Sequence, residues 1–159
     1  NLKKLASDRP DLRPLIEEYS KGYDREGLGA TNEEAKARFE KTMPMWVHRL
    51  SPDEVAAIAH EIAERTIFST ELSNWVMAHE MPTYDVRSRL DEITAPTLVM
   101  TGRWDWRSTV DHARIMEHVT LQAELAIFEE SAHMIYIEEQ DKFIATVIDF
   151  IDRHSEVSD

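Results

Sequence analysis

Apolar residues fall at two different spacings along this chain, and the change comes near Pro82. Before it they recur at steps of three and four, the period of amphipathic helices. Leu12, Leu15, Ile16 and Tyr19 make one such face after Pro10. Val55, Ile58, Ala59 and Ile62 make another, and Leu72, Trp75 and Val76 are expected to point inward from a third. Polar residues mark where the helices begin. Thr31 and Glu34 have capping-box spacing and predict a helix to about Thr42. Ser51 and Glu54 repeat the box, with Pro52 at the first helical position, and predict a helix to about Arg65. The third helix is expected over roughly Thr70 to His79. Between the first two faces Gly27 and Gly29 punctuate a loop from Gly22 to Ala30. The Met81-Pro82 pair closes the helical region.

After Pro82 the pattern turns to short apolar runs. Thr97 to Thr101 is bounded by Pro96 and Gly102, and Leu121 to Phe128 is a second run of the same kind. Both read as buried strands. Between them Thr109 to Val119 has helical spacing, with Val110, Ala113, Ile115, Met116 and Val119 as its apolar positions. Strand, helix and strand of this length make one βαβ unit, with parallel strands and a right-handed crossover. A last helix is expected from about Gln140 to Arg153, packing on the sheet through Phe143, Val147, Phe150 and Ile151. The fold class is therefore α/β, with a helical region over residues 1–82 and parallel strands with helices over 83–159.

Parallel strands end on one edge of their sheet, and open α/β sheets build their sites there. The loop after the first strand carries Asp105, and the loop after the second carries His133. Neighbouring strands lie about 4.8 Å apart, so the two side chains can meet. A carboxylate against an imidazole fixes the ring tautomer and stabilises the imidazolium formed when the ring acts as a base. Taken singly, Asp105 reads as a turn or helix-capping residue and His133 as a structural loop histidine; the pairing favours catalysis. Trp104 and Trp106 flank Asp105 and could wall a pocket or simply pack under loops. Trp46, beside Met43, Pro44 and Met45, could line a substrate side, although core packing is the plainer reading. Glu138 and Glu139 read as solvated or capping residues.

Gly102-Arg-Trp-Asp105, then Ser131-Ala-His133-Met134, then Glu138-Glu139 leading into an amphipathic helix, resembles the C-terminal half of an α/β-hydrolase. The likeness is to the proline iminopeptidase-like branch. It is specific over Tyr84 to His154, including the lead-in from Tyr84 to Ile93, and general over residues 1–82, which resemble that family's helical cap. The resemblance implies Asp105 as the orienting acid and His133 as the base of a Ser, Asp, His triad. Trp104, Trp106, Met134 and Trp46 are the candidate substrate-side residues. The resemblance also implies amide or small-peptide substrates with a free amino end; ester hydrolysis by the same triad is equally allowed chemically, and no cofactor is expected. Ala132 stands where the family usually has glycine. Trp106 to Thr109 replaces a turn that usually contains proline. Neither change removes a catalytic group.

The nucleophile is what the chain lacks. None of the four glycines frames a serine, so there is no Gly-x-Ser-x-Gly elbow, and no glycine-rich loop suits an oxyanion hole. Ser131 lies on the histidine's own loop, too close to serve. Two parallel strands are also too few for a stable open sheet. The expectation is that an N-terminal hydrolase segment, missing here or on a separate chain, carries the serine and most of the sheet, and that this chain alone is inactive. Two rivals remain: an aspartate nucleophile, as in epoxide hydrolases or dehalogenases, and a non-catalytic interaction protein that keeps half of a hydrolase fold.

Charge and composition narrow the partners. Residues before Pro82 include 11 basic and 15 acidic side chains, and the remainder 7 and 16. Neither part is basic, so binding to a nucleic-acid backbone or an anionic membrane has no electrostatic support. With no cysteine there is no disulfide framework and no thiol chemistry. His60-Glu61 lacks the second histidine of a zinc helix, and His112 and His118 do not share a helix face, so no metal site is expected. No signal peptide or membrane-spanning stretch is visible, which makes a cytoplasmic location the default.

Overall fold

The computed structural model describes residues 1–23 and 31–155. They form two compact units: Asn1–Met45 with Leu50–Asp85, and Trp46–Arg49 with the residues from Val86 onward.

The first unit is helical. Its helices are α1 (Leu2–Asp8), α2 (Arg13–Tyr23), α3 (Asn32–Thr42), α4 (Pro52–Arg65) and α5 (Thr70–His79), with 3₁₀ turns at Pro10–Leu12 and Met43–Met45. α2 carries its helix through Gly22 to Tyr23, past the expected loop start, and the rest of that loop, with Gly27 and Gly29, lies outside the described residues. Leu12, Ile16 and Tyr19 are buried, as their spacing predicted. Both capping boxes are formed. Thr31 and Glu34 exchange side-chain and backbone bonds at the start of α3, and Ser51 and Glu54 do so at α4, each satisfying two N–H groups that the helix leaves unpaired. The buried seam of α4 falls on Val55, Ala59 and Ala63, while Ile58 and Ile62 are half-buried at its flank. An ion pair from Lys36 to Glu64 and a contact of 3.2 Å from His60 to Glu40 rim the α3–α4 pair.

α5 is rotated from its expected setting. Leu72 and Trp75 are exposed, at 62% and 50%, and Val76 is half-buried. The first turn decides this. Asn32 Oδ1 accepts hydrogen bonds from Thr70 N at 2.9 Å and Thr70 Oγ1 at 3.0 Å, and Thr70 is buried. With Thr70 inward, the helical period carries Leu72, Trp75 and His79 to the opposite side. There Trp75 stacks on His79, with centroids 5.0 Å apart.

The second unit holds a 3₁₀ turn (Arg87–Glu92), β1 (Thr97–Gly102), α6 (Val110–Val119), β2 (Ala123–Phe128), a short α7 (Ile135–Glu138) and α8 (Gln140–Ser155). β1 and β2 are parallel, in register from Thr97 beside Ala123 to Gly102 beside Phe128. β2 starts two residues later than its apolar run because Gln122 takes a left-handed backbone, φ 58°. α6 crosses over both strands and buries Val110 and Ala113, leaving Ile115 and Met116 exposed. α8 runs back along β2. Lys142 donates to Ile127 O at 2.9 Å near one end, and Arg153 and His154 meet Glu124 near the other. Phe143, Val147 and Phe150 are half-buried, but Ile151 is 52% exposed and faces out with Ile144 and Ile148. Spacing alone could not choose, since α8 carries apolar residues on both sides.

Candidate active site

Gly102 ends β1 and brings two loops into backbone contact. Arg103 N donates to Phe128 O at 2.8 Å and Trp104 N to Ser131 O at 3.0 Å. A Cβ built on Gly102 would lie 1.9 Å from Ala132 O and 2.4 Å from Ser131 O, distances no side chain can occupy. The loop after β1 is thus clamped to the loop after β2. Thr101 Oγ1 closes the first loop by donating to Ser108 O at 2.7 Å.

Asp105 sits inside this turn and is 6% exposed. Its two oxygens do separate work. Oδ1 accepts N–H bonds from Arg107 at 2.8 Å and Ser108 at 3.0 Å, a side-chain-capped turn ahead of α6. Oδ2 accepts from His133 Nδ1 at 2.7 Å. The turn-forming and the histidine-orienting roles are both filled, one by each oxygen. Burial pushes the Asp105 carboxyl up, but the hydrogen bonds from His133, Ser108 and Arg107 together outweigh it and hold the group below the ordinary carboxylate value. An ionised Asp105 accepts only, so Nδ1 of His133 carries the proton and Nε2 is left basic.

The histidine is held on several sides. Its backbone N–H donates to Trp46 O at 3.0 Å, and its ring meets the Trp46 ring edge-on with centroids 5.0 Å apart. Trp46 packs in turn on the buried Trp106, at 5.1 Å. Trp104 is the outer member of the aromatic group, 39% exposed, stacked on His48 at 4.1 Å and anchored by Nε1 to Glu129 O at 3.1 Å. Met134 is buried, and its sulfur accepts from Tyr136 Oη at 3.0 Å. All the residues singled out in the sequence therefore gather around one loop pair, with Trp104 toward solvent and Trp46, Trp106 and Met134 packed behind. His48 belongs to this group but gives no signal in the sequence.

Glu138 and Glu139, read above as solvated or capping, are struts. Glu139 Oε2 accepts from Ser131 Oγ at 2.6 Å and from Glu130 N at 3.0 Å. Burial pushes the Glu139 carboxyl up, and the bonds from Ser131, Glu130 and Lys142 more than offset this, holding it low. Glu138 accepts three backbone N–H groups, from Ala132, His48 and Arg49. Ser131 is fully buried and commits its hydroxyl to Glu139, away from the imidazole. Among the described residues no cluster of His, Asp and Glu is arranged to hold a metal ion, and no helix is long and apolar enough to cross a membrane.

No family model matches the chain. It is similar to a proline iminopeptidase of Heyndrickxia coagulans, 30% identical over 154 residues, covering 95% of this chain and 51% of that protein. A proline iminopeptidase of Saccharolobus solfataricus is 39% identical over 70 residues, covering 44% of this chain and 22% of that protein. An esterase from Exiguobacterium antarcticum shares the fold with a TM-score of 0.61 at 21% identity, over 91% of this chain and 48% of the esterase. The chain spans about half the length of the first of these relatives and of the esterase.

Proposed function

Because this chain carries the C-terminal part of an α/β-hydrolase fold, we propose that Asp105 and His133 are the acid and base of a serine-hydrolase triad. The 2.7 Å bond from His133 Nδ1 to Asp105 Oδ2 carries this reading, since it leaves Nε2 as the proton acceptor. The serine and its oxyanion donors would come from the N-terminal part of the fold, on an upstream or separate segment. Serine attack on an acyl carbon would pass its proton to Nε2, with the imidazolium stabilised by Asp105. His133 would return that proton to the leaving amine or alcohol. Water, deprotonated by the same nitrogen, would then release the acid. The related proteins named as iminopeptidases and as an esterase support amides of short peptides or esters as substrates. Trp104, with its ring partly open to solvent, would meet the acyl or amino-terminal group.

The test is labelling by a fluorophosphonate of the protein joined to its N-terminal segment. The unaltered protein should label at a serine, and His133→Ala should abolish labelling. Asp105→Asn keeps an oxygen for the turn but presents an amide to Nδ1, so it should favour the wrong tautomer. Its hydrolysis rate should fall about ten-thousandfold, the loss seen when a triad aspartate becomes asparagine. Undiminished labelling of His133→Ala would overturn the triad. Activity on epoxides or haloalkanes with no serine labelling would replace it by an aspartate-nucleophile mechanism. Absence of both would leave a non-catalytic interaction protein.

A further inference from the structure

Glu138 accepts backbone N–H groups from two separate segments. It ends α7, five residues beyond His133. Oε2 accepts at 2.8 Å from the backbone N–H of Ala132, the residue just before His133. Oε1 accepts from His48 N at 2.6 Å and Arg49 N at 2.8 Å. The segment Trp46–Arg49 is distant in sequence but clusters with the strands and helices of the second unit. Its first residue, Trp46, supplies both the carbonyl that accepts the His133 N–H and the ring against the imidazole. One carboxylate therefore ties the histidine loop to the segment that braces the histidine.

We infer that Glu138 is a positioning residue for His133, acting by holding Trp46–Arg49 against the 131–134 loop. This inference rests on the triad reading for its catalytic consequence, but its geometric content stands on the hydrogen bonds alone. All three partners are N–H donors, so the site calls for an acceptor on both oxygens. Glutamine offers one acceptor and turns an NH₂ against the remaining donors. The segment then loses its link on one side, and Trp46 no longer fixes the ring. Glu139 serves a different end of the loop, through Ser131 and Glu130, and does not reach the 46–49 segment.

The experiment compares Glu138→Gln, Glu138→Asp and Glu124→Gln in the hydrolytically active protein. Glu124 pairs with Arg153 and His154 at the far end of β2, so its change probes general loosening of the fold. Two readouts are taken: the kcat and KM of hydrolysis, and the downfield proton resonance of His133 Nδ1–H. Glu138→Gln should lower kcat up to about 100-fold, as misplacement of a catalytic group by about 1 Å does, with KM nearly unchanged. It should also broaden or remove the Nδ1 proton. Glu138→Asp keeps the charge but is one methylene short, and should fall between the unaltered protein and the glutamine variant in both readouts. It also serves if the glutamine variant fails to fold. Glu124→Gln should lower the melting temperature and leave the proton signal in place. Unchanged kcat and an unchanged Nδ1 resonance in the Glu138 variants would overturn the inference. Should His133→Ala retain full turnover, the triad fails by that result alone, while the proton resonance still decides whether Glu138 holds the ring.

Discussion

Asp105 shows how one side chain can be both a turn residue and a chemical group. Because its bonds hold the carboxyl below the ordinary carboxylate value, folding favours the ionised form. The sign follows from linkage. The unfolded chain binds the proton more readily, so the contribution to stability is complete above the unfolded value and is lost as pH falls through the lower folded value. Asparagine at 105 has no proton to gain. Urea unfolding followed from pH 5 downward should show a steeper loss of stability for the unaltered protein than for Asp105→Asn; equal slopes would contradict the assignment. The Asp105 and His133 pair was legible in the sequence because each follows an apolar strand and parallel strands end together. Glu138 and Glu139 were not legible. Their partners are mostly backbone N–H groups, which every residue has, so no pattern of side chains announces them.

Helices were read well where a start signal and a stripe agreed. α3 and α4 begin at the residues their capping boxes indicated, because the box is a local exchange that needs no distant partner. Ser51→Ala should cost about 1 kcal/mol and Ser51→Gly a few tenths, measured by chemical denaturation. A loss under the alanine variant no larger than under glycine would mean that Glu54 alone sustains the start of α4. Rotation about a helix axis is a different problem. The inward side of α5 is fixed by Asn32, 38 residues before Thr70, and a hydrogen bond over that span leaves no mark in hydrophobic periodicity. The same blindness applies to α8, whose Phe143, Val147 and Phe150 lie toward β2 while an equally apolar set lies away.

At the scale of the whole molecule, the second unit pairs β1 and β2 with each other and with no further strand among the described residues. Parallel sheets are ordinarily covered on both faces and carry several strands. Ile144, Ile148 and Ile151 on α8 are 47%, 52% and 52% exposed, one apolar row at helical spacing. Rows of that kind drive association in water. Ile148→Lys should therefore weaken any association through this face, read as a shift toward monomer in light scattering with helix content by circular dichroism unchanged; equal behaviour of both proteins would show the row to be inert. The topology of this unit was legible because strand, helix and strand admit one hand of crossover, whereas what lies against an outer face is not written in the face itself. Gly102 carries a last consequence, for inheritance. The meeting of the two loops depends on the absence of an atom, so every missense change in that codon adds at least a Cβ where two carbonyl oxygens already stand. The spacing between the Asp105 loop and the His133 loop is therefore carried by a position from which substitution has nowhere to go without moving backbone.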